Sequence, residues 1–235
     1  MSITRETYIA SVLASCRLVE VLSTKNEGKV LRLRNQKAEK DLILRSYPRK
    51  VYAYEALLPV RCRNLPEVYD VVDLADGQIV LEEFIPGITL DQAMEMGKLN
   101  RLGAKRIMVS LCHAMEVLHS RQLVHRDIKP ENVMLREDGT VVLIDLNAAR
   151  QLSDASHDTV VMGTVGYVSP EQLGLSQSDS RTDIYAAGVL YNVMLTGKHP
   201  TEAFARGRAG RIIRKCTALN PADRYPTAAK LRTAL

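Results

Sequence analysis

Before Leu90 the apolar positions fall in short runs, at residues 18–22, 29–33, 42–45, 68–73 and 78–84. Runs of this length, rich in Val, Leu and Ile and bounded by turn formers, predict β-strands. The breaks come at 26–28, 35–40 and Asp76-Gly77, the last a two-residue hairpin signal between apolar runs. Residues 49–58 read instead as a helix among the strands. Beyond Leu90 the period changes. Ile107, Leu111, Ala114, Met115 and Leu118 recur at i, i+4, i+7, i+8 and i+11, one face of a long helix. Residues 183–195 form a second apolar helix, stopped at Thr196-Gly197, and residues 230–235 end the sequence in a third. Between the first two lies a β pair, 133–135 and 141–144, joined through Glu137-Asp138-Gly139. The pattern predicts an α+β protein, with a β-rich N-terminal part containing one helix and a larger, mostly helical C-terminal part.

Composition narrows the picture little. The 235 residues suffice for one large domain or two small lobes, and 46% hydrophobic with 25% charged is an ordinary globular balance. The net charge of +5 is spread along the chain, and no Lys/Arg run is interleaved with aromatics, so no nucleic acid partner is expected. Cys16, Cys62, Cys112 and Cys216 have neither CxxC nor metal-like spacing, which fits reduced thiols. Residues 9–22 are too short and too interrupted by Ser, Arg and Glu for an export signal or a membrane span. The expectation is a soluble, cytoplasmic protein.

The chemistry is concentrated in His125-Arg126-Asp127-Ile128-Lys129-Pro130-Glu131-Asn132. This octapeptide lies between the long helix and the β pair, where two rigid elements can position a loop accurately. It places a carboxylate, an ammonium and a carboxamide together, the groups that handle a hydroxyl nucleophile, a phosphate and a divalent cation. Thirteen residues after Asn132 comes Asp145, at the end of a strand. The segment Met162-Gly163-Thr164-Val165-Gly166-Tyr167-Val168-Ser169-Pro170-Glu171 follows, then Thr182-Asp183 and Asp223-Arg224. In order and spacing these motifs resemble those of protein kinases, in the Hanks-type serine/threonine class.

The resemblance covers the chain from about Arg17 to Leu235 and implies a bilobal kinase fold. Residues 1–235 would form a single kinase domain, with a small antiparallel sheet and one helix over about 17–84 and a helical lobe over 85–235. It implies that Asp127 orients or deprotonates a substrate hydroxyl, that Lys129 reaches the transferred phosphoryl group, and that Thr164 helps seat Ser or Thr. Asn132 and Asp145 would ligate Mg²⁺ (Mn²⁺ as the alternative), and ATP would be the phosphoryl donor. Glu171 would pair with Arg224, and Asp183 would brace the catalytic loop. Leu22, Val30, Ile43 and Met134 would wall the adenine pocket. Gly28 would approach the phosphates, and the backbones of Glu83 and Ile85 would take the adenine edge. A protein Ser/Thr substrate is implied, with autophosphorylation at Ser153, Ser156 or Thr159 and Arg126 as the phosphate's partner.

The N-terminal half departs from the family. Its three loop glycines read Ser23, Lys25 and Gly28 here, and Arg45 stands where the family has lysine on its third strand. Arg45 would pair with Glu55 on the helix, but a forked guanidinium does not occupy the point that an ammonium does. Glu82 stands where the family is usually apolar, with no evident reason in the sequence. Asn147 replaces a glycine, and Asn tolerates positive φ. Residues 201–210 leave little room for the helix that often docks protein substrates. Three readings follow: an active serine/threonine kinase; a pseudokinase that binds nucleotide or serves as a scaffold; and a small-molecule kinase, disfavoured by the Thr164–Glu171 motif.

Overall fold

A computed structural model of the chain describes residues 4–25, 28–152, 164, 166–173 and 178–235. Residues 26–27, within the expected break at 26–28, Met162, Gly163, Val165 and the candidate phosphorylation sites Ser153, Ser156 and Thr159 lie outside the described residues. The chain divides into two units, one of residues 1–61 and 66–85, the other of 62–65 and 86–235.

The first unit is an antiparallel sheet of β1 (Cys16–Lys25), β2 (Gly28–Asn35), β3 (Lys40–Tyr47), β4 (Val68–Leu74) and β5 (Gly77–Glu83), in the order β1-β2-β3-β5-β4. Alternation sorts its side chains. Leu33, Leu42, Leu44 and Ile79 share one face and are covered by Tyr8, Ile9 and Val12 of helix α1 (Arg5–Leu13). Val30, Ile43, Arg45, Val80 and Glu82 take the other face. Helix α1 had no clear signature in the apolar pattern. Its start is set by Thr4, whose hydroxyl accepts the Thr7 N–H at 3.2 Å. Arg5 then ties it to the sheet through Asp76 (3.0 Å), the Tyr47 carbonyl (3.2 Å) and the Ser46 hydroxyl.

The strands run longer than the apolar runs, because cross-strand pairing carries polar residues with it. The helix expected over 49–58 is only α2 (Ala53–Leu57). Its start is delayed because the Val51 N–H is held by the Gln78 side chain at 3.1 Å, and beyond Leu58 comes Pro59, which has no N–H to continue the helix. The β4–β5 turn also differs. Leu74 pairs with Gly77, so the turn residues are Ala75-Asp76. Gly77 has φ 146°, and a Cβ there would lie 2.0 Å from the Tyr47 carbonyl oxygen.

The second unit contains β6 (Ile88–Thr89), α3 (Leu90–Glu95), α4 (Arg101–His119), β7 (Leu123–Val124), β8 (Val133–Leu135), β9 (Val141–Leu143), β10 (Arg150–Gln151), α5 (Ser180–Thr196), α6 (Gly207–Cys216) and α7 (Ala228–Ala234). Strands β6, β8 and β9 form one small sheet, and β7 pairs with β10. Helix α4 starts at Asn100, which accepts the Gly103 N–H at 2.8 Å, and buries Ile107, Leu111, Met115 and Leu118. Helix α5 is buried along most of its length and ends at Gly197, whose φ of 69° is left-handed. It packs closely on α6, since a Cβ on Gly188 would lie 2.3 Å from the Cys216 Cβ. Between α5 and α6 no helix forms, and residues 203–206 are without regular structure. No helix of the described residues is long and apolar enough to cross a membrane.

Candidate active site

In the second unit, the loop between β7 and β8 carries Asp127, Lys129 and Asn132. Three side chains converge on the Asp127 carboxylate. Thr164 Oγ1 donates to Oδ1 at 2.9 Å, Asn132 Nδ2 donates to Oδ2 at 2.8 Å, and Lys129 Nζ lies 2.9 Å from Oδ2. Lys129 also donates to Thr164 Oγ1 at 2.6 Å, which closes a ring of contacts. Burial pushes the Asp127 carboxyl up, but Lys129 and Thr164 outweigh it and its pKa lies below the ordinary carboxylate value. The group is a fixed, ionised acceptor.

The loop backbone is held from α5. Fully buried Asp183 accepts the His125 N–H at 2.9 Å and the Arg126 N–H at 2.8 Å, and His119 Nε2 lies 2.8 Å from it. Burial pushes this carboxyl up too; the His119 contact and the amides hold it below the ordinary range. Arg126 has φ 69°, a costly conformation for a residue with a Cβ, and its carbonyl accepts Gln172 Nε2 at 3.0 Å. Beside Gln172, Glu171 and Arg224 form a forked pair at 2.6 and 2.9 Å, both nearly excluded from water.

Asn132 and Asp145 are neighbours through the backbone, because the Ile144 N–H donates to the Asn132 carbonyl at 2.9 Å. The left-handed residue here is Asp145 itself, with φ 67°; Asn147 is not left-handed. Asn132 uses its Nδ2 on Asp127, which turns its amide oxygen away from those bonds. One carboxylate and one amide oxygen are the hard donor set that Mg²⁺ takes alongside phosphate oxygens and water, so these residues fit that ion. No cluster of three or more His, Cys, Asp or Glu suited to a metal occurs among the described residues.

The residues expected to meet the nucleotide lie in both units. Val30 is half-buried and Ile43 and Arg45 are buried on one sheet face, while Leu22 on β1 is exposed. Gly28 has φ 131°, and a Cβ there would lie 1.9 Å from the Ser46 carbonyl oxygen, so close strand packing already requires glycine. The Glu83 N–H donates to the Glu67 carbonyl at 2.8 Å, so it is already engaged within the first unit. Ile85 is buried. Met134, in the second unit, is half-buried on β8 opposite Thr89 and Val142.

The expected Arg45–Glu55 pair is replaced by two others. Arg45 Nε lies 2.5 Å from Glu82 Oε1, with both side chains nearly buried. Exposed Glu55 takes half-buried Lys50 at 2.6 Å, and Lys50 also contacts Asp73. The reason lies in register. Ile43 pairs with Glu82 and Arg45 with Val80, so Arg45 and Glu82 are diagonal neighbours on one face. That diagonal was the sequence signal for Glu82, but it becomes visible only once β3 and β5 are aligned.

A family profile described as Protein kinase domain matches residues 12–231. Among curated relatives, "Probable serine/threonine-protein kinase PknB" of Lactococcus lactis subsp. lactis is 32% identical over 171 residues, covering 72% of this chain and 27% of the relative. Serine/threonine-protein kinase PrkC of Bacillus subtilis is 34% identical over 140 residues, covering 58% of this chain and 22% of the relative. The calmodulin-binding receptor-like cytoplasmic kinase 3 of Arabidopsis thaliana is 30% identical over 188 residues, covering 76% and 36%. The chain thus spans only about a quarter to a third of the length of these proteins.

Proposed function

We propose, from the premise that this chain belongs to the protein kinase domain family, that it transfers the γ-phosphoryl group of ATP to Ser or Thr hydroxyls of a protein, itself included. The observation that carries the reading is the Asp127 carboxylate, fixed by Thr164, Asn132 and Lys129. Phosphoryl transfer asks a protein mainly for positioning and charge stabilisation. Asp127, held ionised, accepts the hydrogen bond of the incoming hydroxyl and orients its lone pair. Thr164, bonded to the same carboxylate, lies where that hydroxyl is seated. Lys129 supplies positive charge beside the acceptor, for the oxygens of the moving group. Asn132 and Asp145 would hold Mg²⁺, with Mn²⁺ as the alternative ion; when bound, the ion neutralises phosphate charge. Ile43 and Val30, on one face of the sheet, supply apolar surface for a purine. The four cysteines are free thiols, as a reducing compartment keeps them, and we place the activity in the cytoplasm on that chemistry.

The test is labelling with γ-labelled ATP and Mg²⁺, using a generic basic protein as acceptor beside the chain itself. Asp127→Asn is expected to lower transfer by about 10²- to 10⁴-fold. Equal labelling by wild type and Asp127→Asn would sink the reading.

A second reading, a nucleotide-binding pseudokinase, is favoured by one observation: Arg45 is engaged by Glu82 within the sheet and not by Glu55 on α2. The readings part on two measurements. A pseudokinase that binds nucleotide gives a thermal shift with Mg²⁺ and ADP but no transfer, whereas the enzyme gives both.

A further inference from the structure

The basic residues look scattered along the sequence, but the fold gathers several on one surface. From Lys198 to Cys216 the chain carries Lys198, Arg206, Arg208, Arg211, Arg214 and Lys215 against one acid, Glu202. On α6, Ile212, Ile213 and Cys216 are buried, while Arg208, Arg211, Arg214 and Lys215 share the exposed side. Their spacings of three and four residues make them neighbours on the helix surface, where like charges repel. Arg206 caps the N-terminal end and Arg208 lies in the first turn, the end of a helix that disfavours positive charge. None of these arginines, nor Lys215, pairs with a carboxylate among the described residues. The arrangement costs the free protein stability, and a negatively charged partner would reverse that cost.

The surface is also held firmly. Asn192 of α5, fully buried, donates to the Lys198 and Ala203 carbonyls at 2.9 and 2.7 Å and accepts the Ala205 N–H at 2.9 Å. Gly210 lets Ala205 pack beneath α6, since a Cβ there would lie 1.9 Å from the Ala205 carbonyl oxygen. His199 Nε2 donates to the Gly166 carbonyl at 2.8 Å, linking this region to the segment that carries Thr164. The absence of a helix over residues 203–206 leaves the face uncovered.

We propose that this face of α6 docks an acidic segment of the protein whose hydroxyl is phosphorylated. The substrate part of this inference rests on the kinase reading; the docking part does not. The local chemistry selects among polyanions. Arg214 lies 4.6 Å over the Phe204 ring and Lys215 4.7 Å over the Tyr225 ring, so one face of each ring is taken by a cation and less is left to stack bases. The apolar side of α6 is buried in the fold, and the exposed Phe204 and Leu219 that flank it are single side chains, not the apolar helix face that enters a lipid surface. What is offered is three arginines and a lysine without carboxylate partners, Arg208 also donating to the Ala234 carbonyl at 3.3 and 3.0 Å, and their charge suits carboxylates.

The test is fluorescence anisotropy with the full chain and a labelled Glu-rich peptide containing one Ser. Changing Arg208, Arg211, Arg214 and Lys215 together to Gln should weaken binding about tenfold or more. A charge-matched control, with Arg17, Lys37, Lys105 and Arg106 changed to Gln, should bind like wild type. In transfer assays the α6 variant should raise KM for the acidic peptide and leave kcat unchanged. Equal weakening by the control would overturn the proposal, as would binding of a single-stranded oligonucleotide or a phosphatidylserine vesicle through this face in place of the peptide. If wild type transfers no phosphate and the α6 variant still loses the peptide, docking stands and the kinase reading falls.

Discussion

Arg45 and Glu82 lie 2.5 Å apart across β3 and β5, with side chains only 11% and 4% exposed. Desolvating two charges is costly, and their attraction compensates only while both are present. Glu82→Leu should therefore lower the unfolding free energy by roughly 3 kcal/mol, and adding Arg45→Met should restore most of it. Urea unfolding of the two singles and the double measures this; a double variant no more stable than Glu82→Leu would contradict the coupling. Arg45→Lys keeps the charge but loses the Nε–H that faces Glu82, so it tests whether an ammonium there improves nucleotide binding. Single residues were unevenly legible. Asp127, Lys129, Asn132 and Asp145 stand in an ordered pattern of fixed spacing that a linear reading catches. Glu82 and Lys50 act across strands or turns, and their partners depend on register and on where α2 begins. At Gly28 the Ser46 carbonyl by itself demands glycine, a constraint that depends on strand pairing.

Helix α5 organises the second unit. Its Thr182 hydroxyl donates to Glu171 at 3.0 Å, its Asp183 holds the loop that carries Asp127, and its Asn192 pins residues 198–205. Burial pushes the Glu171 carboxyl up, but Arg224 outweighs it and the pKa ends below the usual value. The sign follows from that direction. The stabilisation is present above the unfolded pKa of about 4 and is lost as the pH falls through the lower, folded value. Glu171→Gln should destabilise the chain by roughly 3 kcal/mol at neutral pH, because Arg224 is left buried without its charge partner. The variant should also respond less to acid, as thermal unfolding between pH 2.5 and 7 would reveal; curves that stay parallel to wild type would contradict it. This helix was legible because it is apolar along its length and ends at a glycine. Helices α1 and α2 are short and partly polar, and packing and side-chain caps set their limits.

The division into two units is crossed three times by the chain, at 61/62, 65/66 and 85/86. The four residues 62–65 fold with the helical unit although sheet residues flank them on both sides. Asn64 Nδ2 donates to the Val141 carbonyl at 2.7 Å, its own carbonyl accepts the Leu143 N–H at 3.0 Å, and Arg63 reaches the Thr140 hydroxyl at 3.0 Å. The change of hydrophobic period near Leu90 announced two regions, but a linear pattern cannot announce that a short interior piece of the first belongs to the second. A fragment of residues 86–235 should therefore leave β9 without these partners, each buried unpaired group costing about 1–3 kcal/mol. Hydrogen exchange at the Leu143 amide should be faster in the fragment than in the full chain; equal protection would mean that residues 62–65 are dispensable. The same interleaving bears on heredity. A single recombination junction at 85/86 would give the helical unit a foreign Asn64 position. Exchanging one unit cleanly between relatives needs junctions at all three crossings, so the halves of this chain are expected to be inherited together.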